Sequence, residues 1–144
     1  MKLEMTGGET FALSALKGKP AVLYFYPRDN TPGCTQEGKD FAEAYGAFRK
    51  LGVSVFGISN DPLSAHEKFL AKFSFPFPLV SDPGKELSRK FGVIKMKSMY
   101  GKTFEGIERS TFVLDEKGKI EKEWRKVKVP GHVAEVLSYL KARG

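Results

Sequence analysis

The sequence predicts an α/β fold, and three observations carry that expectation. PAVLYFY (20–26) and VSVFGIS (53–59) are short, unbroken apolar runs rich in β-favouring residues, the pattern of strands buried on both faces. Between them, Thr35 to Leu51 sets Phe41, Ala44, Tyr45 and Phe48 at spacings of three and four, which puts them on one face of a helix. Strand, helix and strand in that order imply parallel pairing through a right-handed crossover.

The remaining elements follow in order. GG at 7–8 and GKP at 18–20 read as turns, since neither has phosphate-loop spacing. NDP (60–62) opens a second helix, with Asp61 as its cap and Pro62 in its first turn. Leu63, Leu70 and Phe73, with Phe69 beside them, form the buried stripe of that helix, and His66 falls at the edge of the stripe. SDPGKELSRKFGV (81–93) reads as a turn and a short helix, and STFVLDEKGKIEKEW (110–124) as a hairpin about the turn DEKG. HVAEVLSYL (132–140) ends the pattern as a helix burying Val133, Val136, Leu137 and Leu140. No repeat, low-complexity tract or linker interrupts the chain, so one domain over residues 1–144 is expected.

Composition narrows the function. The 144 residues are 41% hydrophobic and 28% charged, the balance of a globular chain. No stretch approaches the roughly 20 apolar residues of a membrane span, and MKLEMTGGETF lacks the apolar centre of a secretory signal. With one cysteine there is no internal disulfide, so the expected address is a reducing cytoplasm. The formal charge of +7 is interspersed with glutamates, as in GKIEKEWRKVKV (118–129), and no zinc-finger, RNP or basic-zipper motif accompanies it. A solvated basic surface, without specific nucleic-acid binding, is the expectation.

The chemistry centres on YPRDNTPGCT (26–35), which holds the single cysteine, Cys34, in a turn rich in proline and glycine. Thr31 and Pro32 suit the cap and first residue of the helix, so Cys34 falls in its first turn. Unpaired N–H groups and the positive end of the helix dipole favour a thiolate there, and the thiolate is the nucleophile. Gly33 removes bulk beside the sulfur. These residues alone leave two readings of Cys34 open, a reactive thiol or a small buried hydrophobe.

The spacing around Cys34 is more specific. Pro27, Thr31 and Cys34 make P-x-x-x-T-x-x-C, and FYPRDNTPGCTQE (25–37) resembles the peroxiredoxin Q, or bacterioferritin comigratory protein, subfamily of the peroxiredoxins. GISNDP (57–62), FPLVSD (77–82), KFGV (90–93), ERSTFVLDEKGKI (108–120) and WRKVKVPGHVAEVL (124–137) extend the resemblance over almost the whole chain. It implies a thioredoxin-like fold, a central mixed sheet flanked by helices, and thiol-dependent peroxide reduction without metal or organic cofactor. By the same resemblance Cys34 is the peroxidatic cysteine and Arg109 the essential cation. Thr31 then orients the peroxide while hydrogen-bonding the thiolate, and Pro27 covers the sulfur. The chemistry suits those residue types, because the transition state spreads negative charge over sulfur and both oxygens, which a permanently charged guanidinium stabilises.

Two departures from the family pattern matter. The position five residues after Cys34, where many members carry a resolving cysteine, is Lys39, and residues 62–74 hold no cysteine either. The expectation is a one-cysteine mechanism, with the Cys34 sulfenic acid resolved by an external thiol: thioredoxin, glutaredoxin or a small thiol. The alternative is a stoichiometric redox sensor or chaperone-like protein using the same cysteine. The amino-terminal segment is also shorter than the subfamily usually has, which would either weaken one side of the domain or leave a sheet edge open for self-association; a monomer or weak homodimer is expected. His66 and His132 lack zinc-ligand spacing and read as structural or surface residues. Glu37, three residues after Cys34, reads as a first-turn glutamate favoured by the helix dipole, the alternative being a hydrogen-bonding aid to the site, and Trp124 reads as core or rim.

Overall fold

The computed structural model describes residues 2–143; Met1 and Gly144, the end positions of the predicted domain, lie outside the described residues. Strands β1 (Leu3–Met5) and β2 (Glu9–Phe11) form a hairpin about the 3-10 turn Thr6–Gly8. Next come β3 (Ala21–Phe25), α1 (Pro32–Lys50), β4 (Ser54–Ser59), α2 (Leu63–Phe73), β5 (Leu79–Ser81) and α3 (Glu86–Lys90). A separate hairpin of β6 (Ile94–Met99) and β7 (Lys102–Ile107) precedes β8 (Ser110–Leu114), β9 (Ile120–Trp124) and α4 (His132–Ala142).

Seven strands make one mixed sheet in the order β2-β1-β5-β4-β3-β8-β9. β3, β4 and β5 are parallel, as the strand–helix–strand pattern predicts, while β8 runs antiparallel to β3 and β9 antiparallel to β8. The continuous apolar run of β3 has a simple cause: its two faces line two cores. Val22, Tyr24 and Tyr26 join Phe41, Phe48, Phe77, Val133 and Val136 under α1 and α4. Leu23 and Phe25 join Ile58, Val80, Leu87 and Phe112 on the opposite face.

On the amino-terminal side the sheet ends in a short edge: β1 pairs with β5 at Met5↔Val80, and the three-residue β2 is outermost. Two expectations are corrected. Asp61 does not cap α2; Pro62 occupies that position, and the Asp61 carboxylate turns back to accept from the Asp29 amide (2.9 Å) and the Ser59 hydroxyl (2.5 Å). His66 is not at the edge of a stripe but fully buried, the structural one of its two expected roles. The β6–β7 hairpin had no sequence assignment; its turn places Tyr100 and Gly101 at φ of 52° and 77°, the left-handed pair of a two-residue hairpin loop.

Candidate active site

The topology brings the Cys34 loop and Arg109 together. Because β8 is antiparallel to β3, with Phe25 opposite Ser110, the carboxyl end of β3 lies beside the amino end of β8. The loop after β3 carries Pro27 and Thr31; Arg109 immediately precedes β8. The Arg109 backbone is fixed by its carbonyl, which accepts from the Val127 amide at 3.0 Å.

Thr31 stands at the N-cap of α1 with extended backbone (φ −90°, ψ 155°), Pro32 follows at the first helical position, and Cys34 lies in the first turn. The Thr31 carbonyl accepts from the Thr35 amide at 2.8 Å, but its hydroxyl makes no cap bond. That hydroxyl donates instead to the Arg28 carbonyl at 2.8 Å, not to the thiol as expected. Its proton is thereby committed, which leaves its oxygen free to act as an acceptor. Pro27 is half-buried on the same loop.

Cys34 is 2% exposed. The Arg109 guanidinium divides its fork between two partners: Nη2 donates to Cys34 Sγ at 3.4 Å and Nη1 to Glu37 Oε1 at 2.7 Å. Gly33 makes room for that approach, since a Cβ there would stand 3.1 Å from Nη2. The bulk that Gly33 removes is therefore cleared for the guanidinium. Burial works against the charge of Arg109, but Glu37 and Cys34 outweigh it and hold the group above its ordinary range.

Glu37 is a correction to the sequence reading. It is no solvated dipole partner but a fully buried group, and the orienter of Arg109. Burial pushes its carboxyl up to about 7, against the pull of Arg109. Its second oxygen, Oε2, has no hydrogen-bond partner among the described residues, and neither has the buried Tyr24 hydroxyl. Burial first, and then the charges of Glu37 and Cys34, keep the Tyr24 phenol protonated well above its ordinary value. The only signal in the sequence for this role of Glu37 was its place three residues after Cys34.

A second polar cluster braces the loop from behind. His66 places Nδ1 2.6 Å from Asp29 Oδ2 and Nε2 2.9 Å from the Val80 carbonyl, and the Tyr26 hydroxyl donates to Asp29 Oδ1 at 2.6 Å. Asp29, Asp61 and His66 are the one group among the described residues whose ligand atoms come within 4.8 Å of one another. His66 Nδ1, Asp29 Oδ2 and Asp61 Oδ2 are already engaged in the hydrogen bonds above, so the cluster reads as a brace. His132 is also buried, bonds Thr111 Oγ1 through Nε2 at 2.7 Å, and is lowered by burial to about 4. Trp124 packs edge-on against His132 and Tyr139, at the half-buried rim it was expected to occupy. No helix among the described residues is long and apolar enough to cross a membrane.

Comparison with known proteins agrees with this geometry. The AhpC/TSA family model matches residues 1–123. Peroxiredoxin Bcp of Xanthomonas campestris is 50% identical over 142 residues, covering 99% of this chain and 89% of the relative. Peroxiredoxin Bcp of Bacillus subtilis is 50% identical over 141 residues, covering 96% and 90%. The solved structure of Xanthomonas campestris peroxiredoxin Q superposes with a TM-score of 0.94 at 50% identity, over 99% of this chain and 90% of that one. In fold and in sequence, then, the chain belongs to the AhpC/TSA family and is a thiol-dependent peroxidase of the peroxiredoxin Q (Bcp) type.

Proposed function

We propose that the chain, as one domain, reduces hydrogen peroxide and organic hydroperoxides through Cys34, with Arg109, Thr31 and Pro27 as its partners. The observation that carries this reading is the 3.4 Å approach of the Arg109 guanidinium to the only thiol. In the first step the Cys34 thiolate attacks one peroxide oxygen. The S–O bond forms as the O–O bond breaks, and the departing alkoxide or hydroxide takes up a proton. The products are Cys34 sulfenic acid and an alcohol or water. Arg109 faces the sulfur on which negative charge starts and the oxygen toward which it moves. Thr31, with its proton committed to Arg28, accepts a hydrogen bond from the peroxide and so orients it. Pro27 limits water around the sulfur, which strengthens these charge interactions.

The sulfenic acid is then attacked by an external thiol, releasing water and leaving a mixed disulfide that a second thiol opens. Thioredoxin, glutaredoxin or a small thiol fits this chemistry, and a monomer or weak homodimer in the cytoplasm is the working form. Cys34 is too buried for a bulky thiol to reach in the folded arrangement. The first turn of α1 is suited to opening, since Thr31 makes no side-chain cap and Gly33 is a poor helix former. Family membership favours this recycling enzyme over the stoichiometric sensor or chaperone-like alternative.

Peroxide consumption with each reductant is the test. Turnover well beyond one equivalent per Cys34 with at least one thiol, abolished in Cys34→Ser, is the expected result. No thiol sustaining more than one equivalent would move the reading to a sensor.

A further inference from the structure

Lys97 lies down on the β6–β7 hairpin instead of extending into water. In the hairpin register Lys95 faces Gly106 and Lys97 faces Phe104, so the Lys97 stem crosses the strand diagonally at Gly106. Gly106 is the notch that admits it: a Cβ there would stand 2.9 Å from Lys97 Cδ and 3.2 Å from Cε. The ammonium reaches the Ile107 carbonyl at 2.6 Å, two residues ahead of Arg109. Lys97 is half-buried where its neighbours Lys95, Met96, Ser98 and Met99 are all exposed. Among the described residues no carboxylate lies within ion-pair distance of it.

That placement is unfavourable unless something negative stands nearby. Burial first, and then the charge of Arg109, pull the Lys97 ammonium below its ordinary range, while Cys34 and Glu108 act in the other direction. Arg109 has Glu37 as its carboxylate partner. Two cations drawn into one half-buried corner, one of them without a carboxylate, mark a place where an anion forms.

We propose that Lys97 is a further positioning residue of the peroxide reaction: clasped over Gly106 to the Ile107 carbonyl, it steadies the segment that presents Arg109 and supplies a second positive charge to the Cys34 corner. This rests on the reading of Cys34 as the peroxidatic residue. Its effect is greatest in the transition state, when charge leaves the sulfur for the departing oxygen and Arg109 alone must serve both.

The test is the single-turnover rate of peroxide attack in Lys97→Met, which keeps the apolar stem and removes the charge. The expected result is a loss of about three- to tenfold, with Lys97→Arg restoring most of it. The wild-type rate should fall at alkaline pH as Lys97 discharges among Arg109, Glu108, Glu37 and Cys34, and Lys97→Met should lack that fall. A purely structural lysine would leave the pH profile unchanged. Should Lys97→Met fail to fold, Gly106→Ala displaces the stem and keeps the charge, and the rate should still drop. Wild-type rates and profiles in the folded variants overturn the proposal, whereas a wild type that consumes no peroxide overturns the function proposed for Cys34 instead.

Discussion

Replacing Glu37 by glutamine should give the stability a pH dependence that the wild type largely lacks. In the folded chain burial holds the Glu37 carboxyl at about 7, against an ordinary value of 4.5. Between those values the folded state keeps a proton that the unfolded state has lost, so rising pH favours unfolding. The contribution is fully present below pH 4.5, declines up to about 7 and is gone above it. At about 1.4 kcal/mol for each pKa unit, that gap is worth roughly 3 kcal/mol. His132 acts oppositely, because burial lowers it from 6.5 to about 4 and the unfolded state then binds the extra proton. Its contribution is also roughly 3 kcal/mol, but it grows as pH rises through nearly the same window. The two slopes largely cancel in the wild type. Glutamine keeps an acceptor for Arg109 Nη1 and removes the titration, so Glu37→Gln should gain stability steadily from about pH 4 to about pH 7 while the wild type stays nearly level. Guanidinium unfolding followed by far-UV circular dichroism reads this directly. Parallel curves for wild type and variant would refute the placement of Glu37 as a buried titrating group.

Other substitutions probe separate parts of the account. Arg109→Lys replaces a planar fork that serves Cys34 and Glu37 together with a single ammonium, and stopped-flow measurement should find peroxide attack slowed about 10²- to 10³-fold; a rate within about threefold of wild type would contradict the shared-fork geometry. Gly38→Ala, despite the better helix former, puts a Cβ 2.6 Å from the Phe75 ring, and thermal unfolding should report a loss of about 1–3 kcal/mol rather than a gain. His66→Leu removes the partner of Asp29 Oδ2 and of the Val80 carbonyl, and denaturant unfolding should report a loss of about 3 kcal/mol or more; an unchanged midpoint would remove the brace behind the active loop.

Much of the fold was legible because burial writes itself into apolar patterns. β3 and β4 are buried on both faces and appear as unbroken runs, while α1 has one buried face and appears as a three-and-four rhythm. The short strands β1, β2 and β5 were not legible, since three residues are too few for a period to emerge. The β6–β7 hairpin was missed because Met96, Met99, Tyr100 and Phe104 are exposed among lysines and glutamate, so its two faces do not alternate. At the site, Cys34 and its helix start were readable locally from Thr31 and Pro32, and Arg109 from the family pattern. Glu37 and Asp29 were misjudged or passed over because their roles depend on partners 72 and 37 residues away, and charge placement across that distance leaves no local signal. His66 was misplaced for a related reason. A histidine at the margin of an apolar stripe looks the same whether it meets water or a buried carboxylate.

The most direct measurement is the intact mass of the protein after one equivalent of peroxide, with and without added thiol. The protein should gain one oxygen atom, located on Cys34, which the added thiol converts into a mixed disulfide and then removes to restore the starting mass. A Cys34 that takes up no oxygen while peroxide is consumed, or an oxidised form that no thiol restores, would contradict it.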